Sequence, residues 1–512
     1  MTKHQWPGPG KKACAAAIAC AMLTGCTFGS GGASGPGGSM NTGDLNARPS
    51  ISMMLDLTDR EPPKDTLIRP LEVLTQTRLA FNWVPDNIYT DKMVSAIATG
   101  AVPKVIQVRA ADLKHPAVVN GVQAGLFWEI GPLLGEYPLI NRYMNKAIAA
   151  NSTYFGKMYG LYLERPLSRQ GIQYRKDWLD RLGLPEPKTL EDVYTVLKAF
   201  TYNDPDGNGE QDTYGLIDRN DPVYGAFKNI ATYFGTPNGW GMKDGKLTPD
   251  FMSAEYMNAM KFMKKLYDEK LMNPDFTVTS KTQQENRFIA GEAGMMISNV
   301  LAASIQSRLQ ETNPDAKVEI QNRIRGPKGE RAWGGTGIGG LLLFPKASVK
   351  TESELKQVLA FFEKTLSKDV NNLITYGIRD RHYKQLDADT ISVLPGTKRL
   401  REQEVESYAN ALRTFDIQYL RQGQIGALQE KIIGIIKDND SIVVGDPTAA
   451  FVSRTQAEKG TGLADIVTNA TYDFILGRLD EAGFRRELEK WRKEGGDLII
   501  EEMNRQYAEL NK

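Results

Sequence analysis

The loop sequence NDPDGNGEQDTYGL, residues 203–216, carries several side-chain oxygens at regular spacing. Hard cations such as Ca²⁺ take oxygen ligands from a tight loop, with a glycine at position 6 for the sharp turn. Gly209 holds that sixth position when Asp204 is counted as the first. The side-chain ligands at positions 1, 3, 5 and 9 would then be Asp204, Asp206, Asn208 and Asp212.

Two further positions bear on this calcium interpretation. Glu210 at position 7 would coordinate through its backbone carbonyl, whereas position 12, a bidentate glutamate in the EF-hand pattern, is Gly215. The alternative is an ordinary Pro-Asp-Gly turn with solvated carboxylates. Three carboxylates and one asparagine at this spacing favour a structural calcium ion, and they imply no open catalytic geometry.

Residue types that carry out catalysis are scarce in this chain. It has 3 histidines and 3 cysteines, and the cysteines all lie within the first 26 residues, at Cys14, Cys20 and Cys26. Neither GxSxG nor HExxH occurs. A carboxylate pair for glycoside hydrolysis stays open, because there are 62 acidic residues. We therefore expect a protein that is not an enzyme, with a surface carbohydrate-active enzyme as the alternative.

The amino terminus has the features of an export signal. Lys3, Lys11 and Lys12 precede the apolar run ACAAAIACAMLTG, which is too short to span a membrane as a mature helix. The run ends in LTGC, which resembles the bacterial lipobox and predicts a signal peptide over residues 1–25 and lipidation of Cys26. Residues 26–47 are rich in glycine and serine and predict a flexible tether. We expect a lipid-anchored protein at the outer face of the cell membrane.

The rest of the chain predicts an α/β protein of two or more domains, since 512 residues exceed one compact core. Buried strands are predicted at 51–57, 78–83 and 102–108, with helical stretches between them, which indicates a parallel sheet. Such sheets bind ligands beyond the carboxyl ends of their strands. The segment GGTGIGG at 334–340 contains GxGxxG but leads into a strand, so it favours a crossing or cleft loop over a nucleotide site. A net charge of +1 gives no basic field for nucleic acid.

Several long motifs, in one order, resemble the extracellular solute-binding lipoproteins of bacterial ABC importers. They resemble most the sugar-binding group that includes the alginate-oligosaccharide-binding and LipO-like lipoproteins. The resemblance covers essentially all of the mature chain. It rests on YFGKMYGLYLE (154–164), YRKDWLDRLGLPEPKTLEDVYTVLKAF (174–200), KKLYDEKLMNPDF (264–276), FIAGEAGMMISNV (288–300) and ITYGIRDRHY (374–383).

The resemblance implies the type II periplasmic-binding-protein fold, in which two α/β lobes close by a hinge on a ligand. We expect an N-terminal lobe of 48–165 plus about 296–345. The C-terminal lobe would comprise 166–295 plus about 346–512, with a helical subdomain at its end. In the alginate-binding relatives the corresponding loop holds calcium, which maps onto Asp204, Asp206, Asn208, the Glu210 carbonyl and Asp212. That pattern has a further acidic ligand at the next position, and this chain has Thr213 there instead.

A sugar ligand would be bound by aromatic rings and planar polar groups in the cleft. Trp240 and Trp333 adjoin glycines in loops where a ring can be presented to a ligand, and Tyr162 and Arg175 lie near the expected crossing between lobes. We predict that these four residues bind the ligand.

The predicted function is capture of an oligosaccharide, with uronate-containing chains included, and its delivery to an ABC permease. The receptor is expected to act as a monomer. A peptide or other solute is an alternative ligand for the same fold. A sensor subunit that presents ligand to a signalling partner is an alternative role.

Overall fold

The alternation of short apolar runs and helical stretches in the sequence produces mixed α/β structure. The computed structural model describes residues 48–57, 61–300, 302–423 and 425–510. The predicted signal peptide, Cys26 and the tether lie outside the described residues. No helix among the described residues is both long enough and apolar enough to cross a membrane.

The strands of the described residues fall into two main sheets and four small ones. In chain order they are β1 Ser50–Leu57, β2 Arg78–Pro85, β3 Val105–Arg109, β4 Gly160–Glu164, β5 Gln170–Arg175, β6 Tyr214–Leu216, β7 Trp240–Lys243, β8 Lys246–Pro249, β9 Ala293–Asn299, β10 Val318–Gln321, β11 Arg325–Gly326, β12 Gly329–Glu330, β13 Ala332–Trp333, β14 Ile338–Leu343, β15 Tyr383–Gln385, β16 Thr390–Val393, β17 Arg421–Gln422 and β18 Val443–Val444.

Helices cover the sheets and form most of the carboxyl-terminal part. In chain order they are α1 Ile68–Thr75, α2 Asp86–Thr99, α3 Pro116–Gln123, α4 Pro138–Tyr143, α5 Lys146–Asn151, α6 Lys176–Arg181, α7 Leu190–Tyr202, α8 Ala226–Tyr233, α9 Ala254–Asp268, α10 Lys281–Ile289, α11 Ala302–Thr312, α12 Glu352–Thr365, α13 Lys368–Tyr376, α14 Lys398–Arg401, α15 Ser407–Leu412, α16 Ala427–Asn439, α17 Arg454–Ile475, α18 Glu481–Trp491 and α19 Asp497–Leu510.

The first sheet has the strand order β2-β1-β3-β14-β4. Its first three strands are parallel, with Met53 opposite both Phe81 and Val105, as the β-α-β-α-β pattern predicts. Strand β14 enters between β3 and β4 and runs antiparallel to both. The carboxyl ends of β1, β3 and β4 and the amino end of β14 therefore share one edge, which we call the first edge.

The second sheet has the strand order β10-β5-β9-β6. Strand β5 is antiparallel to β9 and β10, and β6 is parallel to β9. Since Gln170 pairs with Asn299, the amino end of β5 lies beside the carboxyl end of β9. We call this side of the sheet the second edge.

Two short segments meet between the sheets, and the first of them connects the two edges. Residues 165–169 run from the carboxyl end of β4 into the amino end of β5, and residues 334–337 run from β13 into β14. The Gly335 amide donates a hydrogen bond to the Leu167 carbonyl, which ties the two crossings together. The predicted crossing at the glycine-rich segment is therefore present, and both sheets turn their ligand-binding ends toward it.

The cores divide the chain differently from the predicted lobe boundaries. Strands β9 and β10, within 293–321, belong to the second sheet, because FIAGEAGMMISNV forms its central strand rather than a return to the first sheet. Helices α12, α13 and α15 pack in one apolar cluster with the first sheet. The chain returns to the first sheet only at β14 and stays with it through α15.

A terminal helical part follows, as the sequence predicts. Helix α17 supplies Ala470 and Ile475 to the core of the second sheet, and α18 supplies Phe484. Trp491 and Met503 pack with Trp240 in a separate apolar cluster. The last three helices are therefore joined to the second lobe.

Candidate functional site

A polar cavity of about 410 Å³ opens at the first edge. Asp56 stands near the end of β1, Arg109 ends β3, and Arg165 follows β4, so the strand ends bring them together. The cavity is lined by Asp56, Gln107, Arg109, Arg165, Gly339 and Asn410, among others. We call it the first-edge cavity.

Arg109 and Asp56 occupy one side of this cavity. The Arg109 Nε donates to Asp112 Oδ2 at 2.8 Å, and its Nη1 lies 3.7 Å from Asp56 Oδ1. Its two terminal nitrogens also donate hydrogen bonds, Nη1 to the Asp86 carbonyl and Nη2 to the Thr90 hydroxyl. Asp56 Oδ1 is buried and has no hydrogen-bond partner among the described residues. Burial raises the pKa of Asp56, and Arg109 opposes that shift.

Arg165 occupies the other side, with its aliphatic stem against Gly339. Its Nη1 donates to the neighbouring Glu164 carbonyl at 3.1 Å. Among the described residues, no carboxylate lies within ion-pair distance of its guanidinium. Burial lowers the pKa of Arg165, and the positive charges of Arg413 and Arg169 lower it further. The Asp416 carboxylate acts in the opposite direction, so Arg165 lies near two positive charges and one negative charge.

A second polar cavity, of about 270 Å³, opens at the second edge. Beside it, amide side chains form a chain of hydrogen bonds, from Asn229 to Gln170 at 3.2 Å and from Gln170 to Asn299 at 2.5 Å. The lining of the cavity includes Gln173, Arg219, Asp221, Tyr224, Ser298 and Asn299. Planar polar groups of this kind fix the orientation of a polar ligand.

Tyr224 presents an aromatic ring at the rim of this second cavity. It is 47% exposed, and its ring lies 5.5 Å from the ring of Trp333, which is 5% exposed. The Lys228 Nζ lies 4.7 Å from the centre of the Trp333 ring, and burial lowers the pKa of this lysine. Trp333 and Lys228 thus form a support beneath Tyr224.

The loop that carries Tyr224 is held in place by its own charged residues. Asp221 Oδ1 accepts from the backbone amides of Val223 at 3.0 Å and Tyr224 at 2.8 Å. Arg219 Nη2 donates to the Tyr224 carbonyl at 2.7 Å. The backbone that carries the exposed ring is therefore held in place before any ligand binds.

The two predicted tryptophans occupy different places. Trp333 lies at the crossing beside Tyr224, but it is buried, and its indole Nε1 has no hydrogen-bond partner among the described residues. Trp240 lines a separate cavity of about 250 Å³ between α8 and the terminal helices. Trp240 packs there with Phe451 and Trp491, and the same cavity is lined by Val223 and Lys228, which are close to Tyr224 in the chain.

The structure contradicts ligand contacts for Tyr162 and Arg175. Tyr162 is fully buried in β4, where its ring packs on Phe415 and its hydroxyl accepts from the Asn145 amide at 2.7 Å. Arg175 is 3% exposed and pairs with Asp177. It ends the antiparallel strand β5, so it lies at the side of the sheet opposite the second edge.

Sequence reasoning overlooked Asp56, Arg165 and Tyr224. Asp56 stands near the end of a predicted parallel strand, so the rule that ligands bind beyond carboxyl ends could have identified it. Arg165 and Tyr224 gave no such signal. Their position depends on how the crossing and the loop after β6 fold.

The predicted calcium loop forms a tight turn with Asp204 and Gly209 at positive φ, 44° and 86°. The Asn208 side-chain nitrogen lies 3.0 Å from Asp206 Oδ2 and 3.3 Å from Asp212 Oδ2. Partial burial and the neighbouring Asp204 and Asp212 carboxylates raise the pKa of Asp206. The loop thus gathers hard oxygen donors around one side chain, which fits the chemistry of calcium.

Two observations limit the ligand set. The hydroxyl of Thr213 donates to the Phe200 carbonyl at 2.7 Å, so it is turned into the fold and away from the loop centre. Among the described residues, no three histidine, cysteine, aspartate or glutamate side chains are placed together to hold a metal ion.

A family model described as bacterial extracellular solute-binding protein matches residues 75–366. The chain is 43% identical over 458 residues to the polygalacturonan/rhamnogalacturonan-binding protein YtcQ of Bacillus subtilis, covering 89% of this chain and 91% of that protein. It is 35% identical over 472 residues to lipoprotein LipO of the same organism, covering 90% and 93%.

Solved structures confirm the two-lobed fold. An extracellular solute-binding protein from Bifidobacterium longum subsp. infantis matches with a TM-score of 0.70 at 15% identity, over 90% of this chain and 98% of that chain. The alginate-binding protein AlgQ2, crystallised without calcium ion, matches with a TM-score of 0.63 at 15% identity, over 91% and 99%.

Proposed function

The chain belongs to the bacterial extracellular solute-binding proteins, and we propose that it captures an acidic oligosaccharide of the polygalacturonan type between its two edges. It then delivers this ligand to the membrane subunits of an ABC permease, acting as a monomer. Proteins of this family bind solutes rather than transform them.

The observation that carries the sugar assignment is the exposed ring of Tyr224, on a hydrogen-bonded loop beside amides and a guanidinium. A pyranose has apolar C–H faces that pack on an aromatic ring, and its hydroxyls need planar polar partners. Aromatic rings with a polar handle serve such amphipathic contacts. The name of the relative YtcQ, which specifies polygalacturonan and rhamnogalacturonan, supports a ligand built from uronic acids.

Isothermal titration calorimetry with trigalacturonate, maltotriose and a neutral tripeptide tests this proposal. We expect trigalacturonate to bind with one site per chain. Tyr224→Ala should weaken binding about tenfold, because an aromatic contact contributes about 1 to 1.5 kcal/mol, whereas Tyr224→Phe keeps the ring and should bind nearly as the parent does.

The rival functions have distinct outcomes in the same assay. Binding of the tripeptide alone would overturn the sugar proposal and leave the receptor class intact. Release of smaller sugars from polygalacturonate during incubation would instead select the carbohydrate-active enzyme.

We also propose that the protein is anchored through lipidated Cys26. The LTGC sequence and the relative LipO, itself named a lipoprotein, support the anchor. Cys26→Ser should move the protein from the membrane fraction to the medium, as followed by immunoblotting. Unchanged membrane association of this variant would contradict the proposal.

A structural calcium ion in the 204–212 loop completes the proposal. The side chains of Asp204, Asp206, Asn208 and Asp212, with the Glu210 carbonyl, would hold it. The ion would neutralise carboxylates that otherwise repel one another and would fix the loop. It lies on the second lobe after α7, so it stabilises the fold and does not select the solute.

A further inference from the structure

The first-edge cavity contains two groups whose bonding capacity the protein does not use. Asp56 Oδ1 is buried and lacks a hydrogen-bond partner among the described residues, 3.7 Å from Arg109 Nη1. Buried polar atoms are nearly always hydrogen-bonded, so an acceptor of this kind at the wall of a cavity points to a donor that enters with a ligand. Sugar hydroxyls are such donors.

Arg165 provides the complementary group. Its guanidinium has one hydrogen bond, to a backbone carbonyl, and no carboxylate at ion-pair distance among the described residues. A guanidinium matches a carboxylate with two parallel N–H···O bonds. The fork of Arg165 is therefore available for an anionic group.

Arg109, in the same cavity, is a useful contrast. Its hydrogen bonds to Asp112, Thr90 and the Asp86 carbonyl already occupy all three nitrogens of the fork. Arg109 thus holds the wall of the cavity, whereas Arg165 is the arginine that can bind a ligand.

The charges around Arg165 also favour an anion. Arg169 is exposed at the crossing, and Arg413 and Arg169 are the two positive charges that act on Arg165, against the single negative charge of Asp416. The acids close by are engaged elsewhere. Asp416 pairs with Arg413 at 2.8 Å, and Glu164 accepts from the Asp416 amide at 3.4 Å.

We propose that the first-edge cavity is the subsite for one uronate residue of the ligand, in which Arg165 binds the carboxylate and Asp56 accepts from ring hydroxyls. This inference rests on the proposed function and adds to it the residues that recognise the carboxylate of the sugar. Its consequence is that the receptor distinguishes a free uronate from the same sugar with an esterified carboxyl group.

The test uses the full chain, solubilised in detergent. Calorimetry compares the binding of trigalacturonate with the binding of its methyl ester. The parent protein should bind the acid at least tenfold more tightly than the ester. Arg165→Gln should weaken binding of the acid roughly 10- to 100-fold, the range for hydrogen bonds to charged groups, and change binding of the ester less than about threefold.

Three further variants separate the position of the arginine from its charge. Arg169→Gln removes the same charge from the same neighbourhood but outside the cavity, and it should change the affinity for the acid less than about threefold. Asp56→Asn should weaken binding of acid and ester alike, because hydroxyls are common to both. Arg165→Lys, which keeps the charge without the fork, should fall between parent and Arg165→Gln, and thermal melts confirm that each variant is folded.

The outcomes distinguish the two levels of the proposal. If neither acid nor ester binds the parent protein, the proposed function itself fails. If both bind with equal affinity, or if Arg165→Gln weakens both equally, the receptor function stands and the uronate subsite is wrong. Equal losses of affinity for the acid in Arg165→Gln and Arg169→Gln would also overturn it, since they would indicate a general positive potential rather than a subsite.

Discussion

At the scale of single residues, the two edges use different chemistry. The second edge offers the exposed ring of Tyr224 and a series of amides, and the first edge offers the unsatisfied Asp56 and Arg165. An aromatic platform facing charged groups can hold an amphipathic, anionic ring. The residues that surround these groups, such as Arg109 and Asp221, are saturated with protein partners and serve to position them.

A second charged cluster is structural and makes a prediction of its own. Glu404 is buried between Arg381, at 2.7 Å, and His382, at 3.1 Å, within the first-lobe core. Removing one partner of a buried ion pair leaves the charge of the other partner uncompensated, which destabilises the fold. Since Arg381 is half exposed, we expect Glu404→Gln to lower the free energy of unfolding by about 2 kcal/mol at pH 7, measured by urea denaturation.

The pH dependence of this cluster follows from the Arg381 guanidinium, which lowers the pKa of Glu404 from 4.5 to about 2. The stabilisation is complete above pH 4.5 and is lost as the pH falls towards 2, because the unfolded chain then binds the proton first. The difference in free energy of unfolding between the parent protein and Glu404→Gln should therefore be smaller at pH 3 than at pH 7. Glu402→Gln, on the same helical segment, is the matched control, and an equal loss there would contradict the assignment.

Residue-level prediction from the sequence failed for Tyr162 and Arg175 for a physical reason. Both lie in strands next to the crossing, but the direction of a strand decides which of its ends meets the ligand. Arg175 ends an antiparallel strand, and Tyr162 points into the core. Neither fact can be obtained from local spacing.

At the scale of elements, local patterns were informative. The first three strands were predicted close to their observed bounds, and the terminal part was predicted to be helical without bounds for its helices, because the apolar pattern of a segment reports its burial directly. The lobe assignment of about 296–345 and about 346–512 was wrong in two parts, because β9 and β10 belong to the second sheet and α12, α13 and α15 pack with the first. Strand partners are chosen by tertiary packing, and β9 pairs with β5 across more than a hundred residues of sequence.

The 204–212 loop is the element whose ion can be tested. EDTA should lower the melting temperature, and added calcium should restore it, since an ion that binds only the folded state stabilises it by about 2.7 kcal/mol at a hundred times its Kd. For a chain of this size that corresponds to a shift of a few degrees. Differential scanning calorimetry measures it.

The control for this experiment is a loop without its central ligands. Asp206→Asn combined with Asp212→Asn should melt at one temperature with and without calcium. If the melting temperature of the parent protein is the same in EDTA and at micromolar free calcium, the loop is an ordinary Pro-Asp-Gly turn and the calcium proposal is wrong.

At the scale of the whole molecule, the topology explains why the site lies where it does. The crossing at 165–169 joins the ligand-binding ends of the two sheets, and the 334–337 segment, which leads into β14 at the first edge, is hydrogen-bonded to it, so residues from distant parts of the sequence lie around these edges. The family identity accounts for a binding protein with few catalytic residue types. Trp240 packs with the terminal helices and lines the cavity between them and α8, and its contact with a ligand stays a prediction.

A crystal structure of the protein with trigalacturonate tests the central claim most directly. We predict one sugar chain between the two edges, with a ring against Tyr224 and a carboxylate on Arg165. Sugar density confined to the Trp240 cavity, or a ligand that contacts neither edge, would contradict the account.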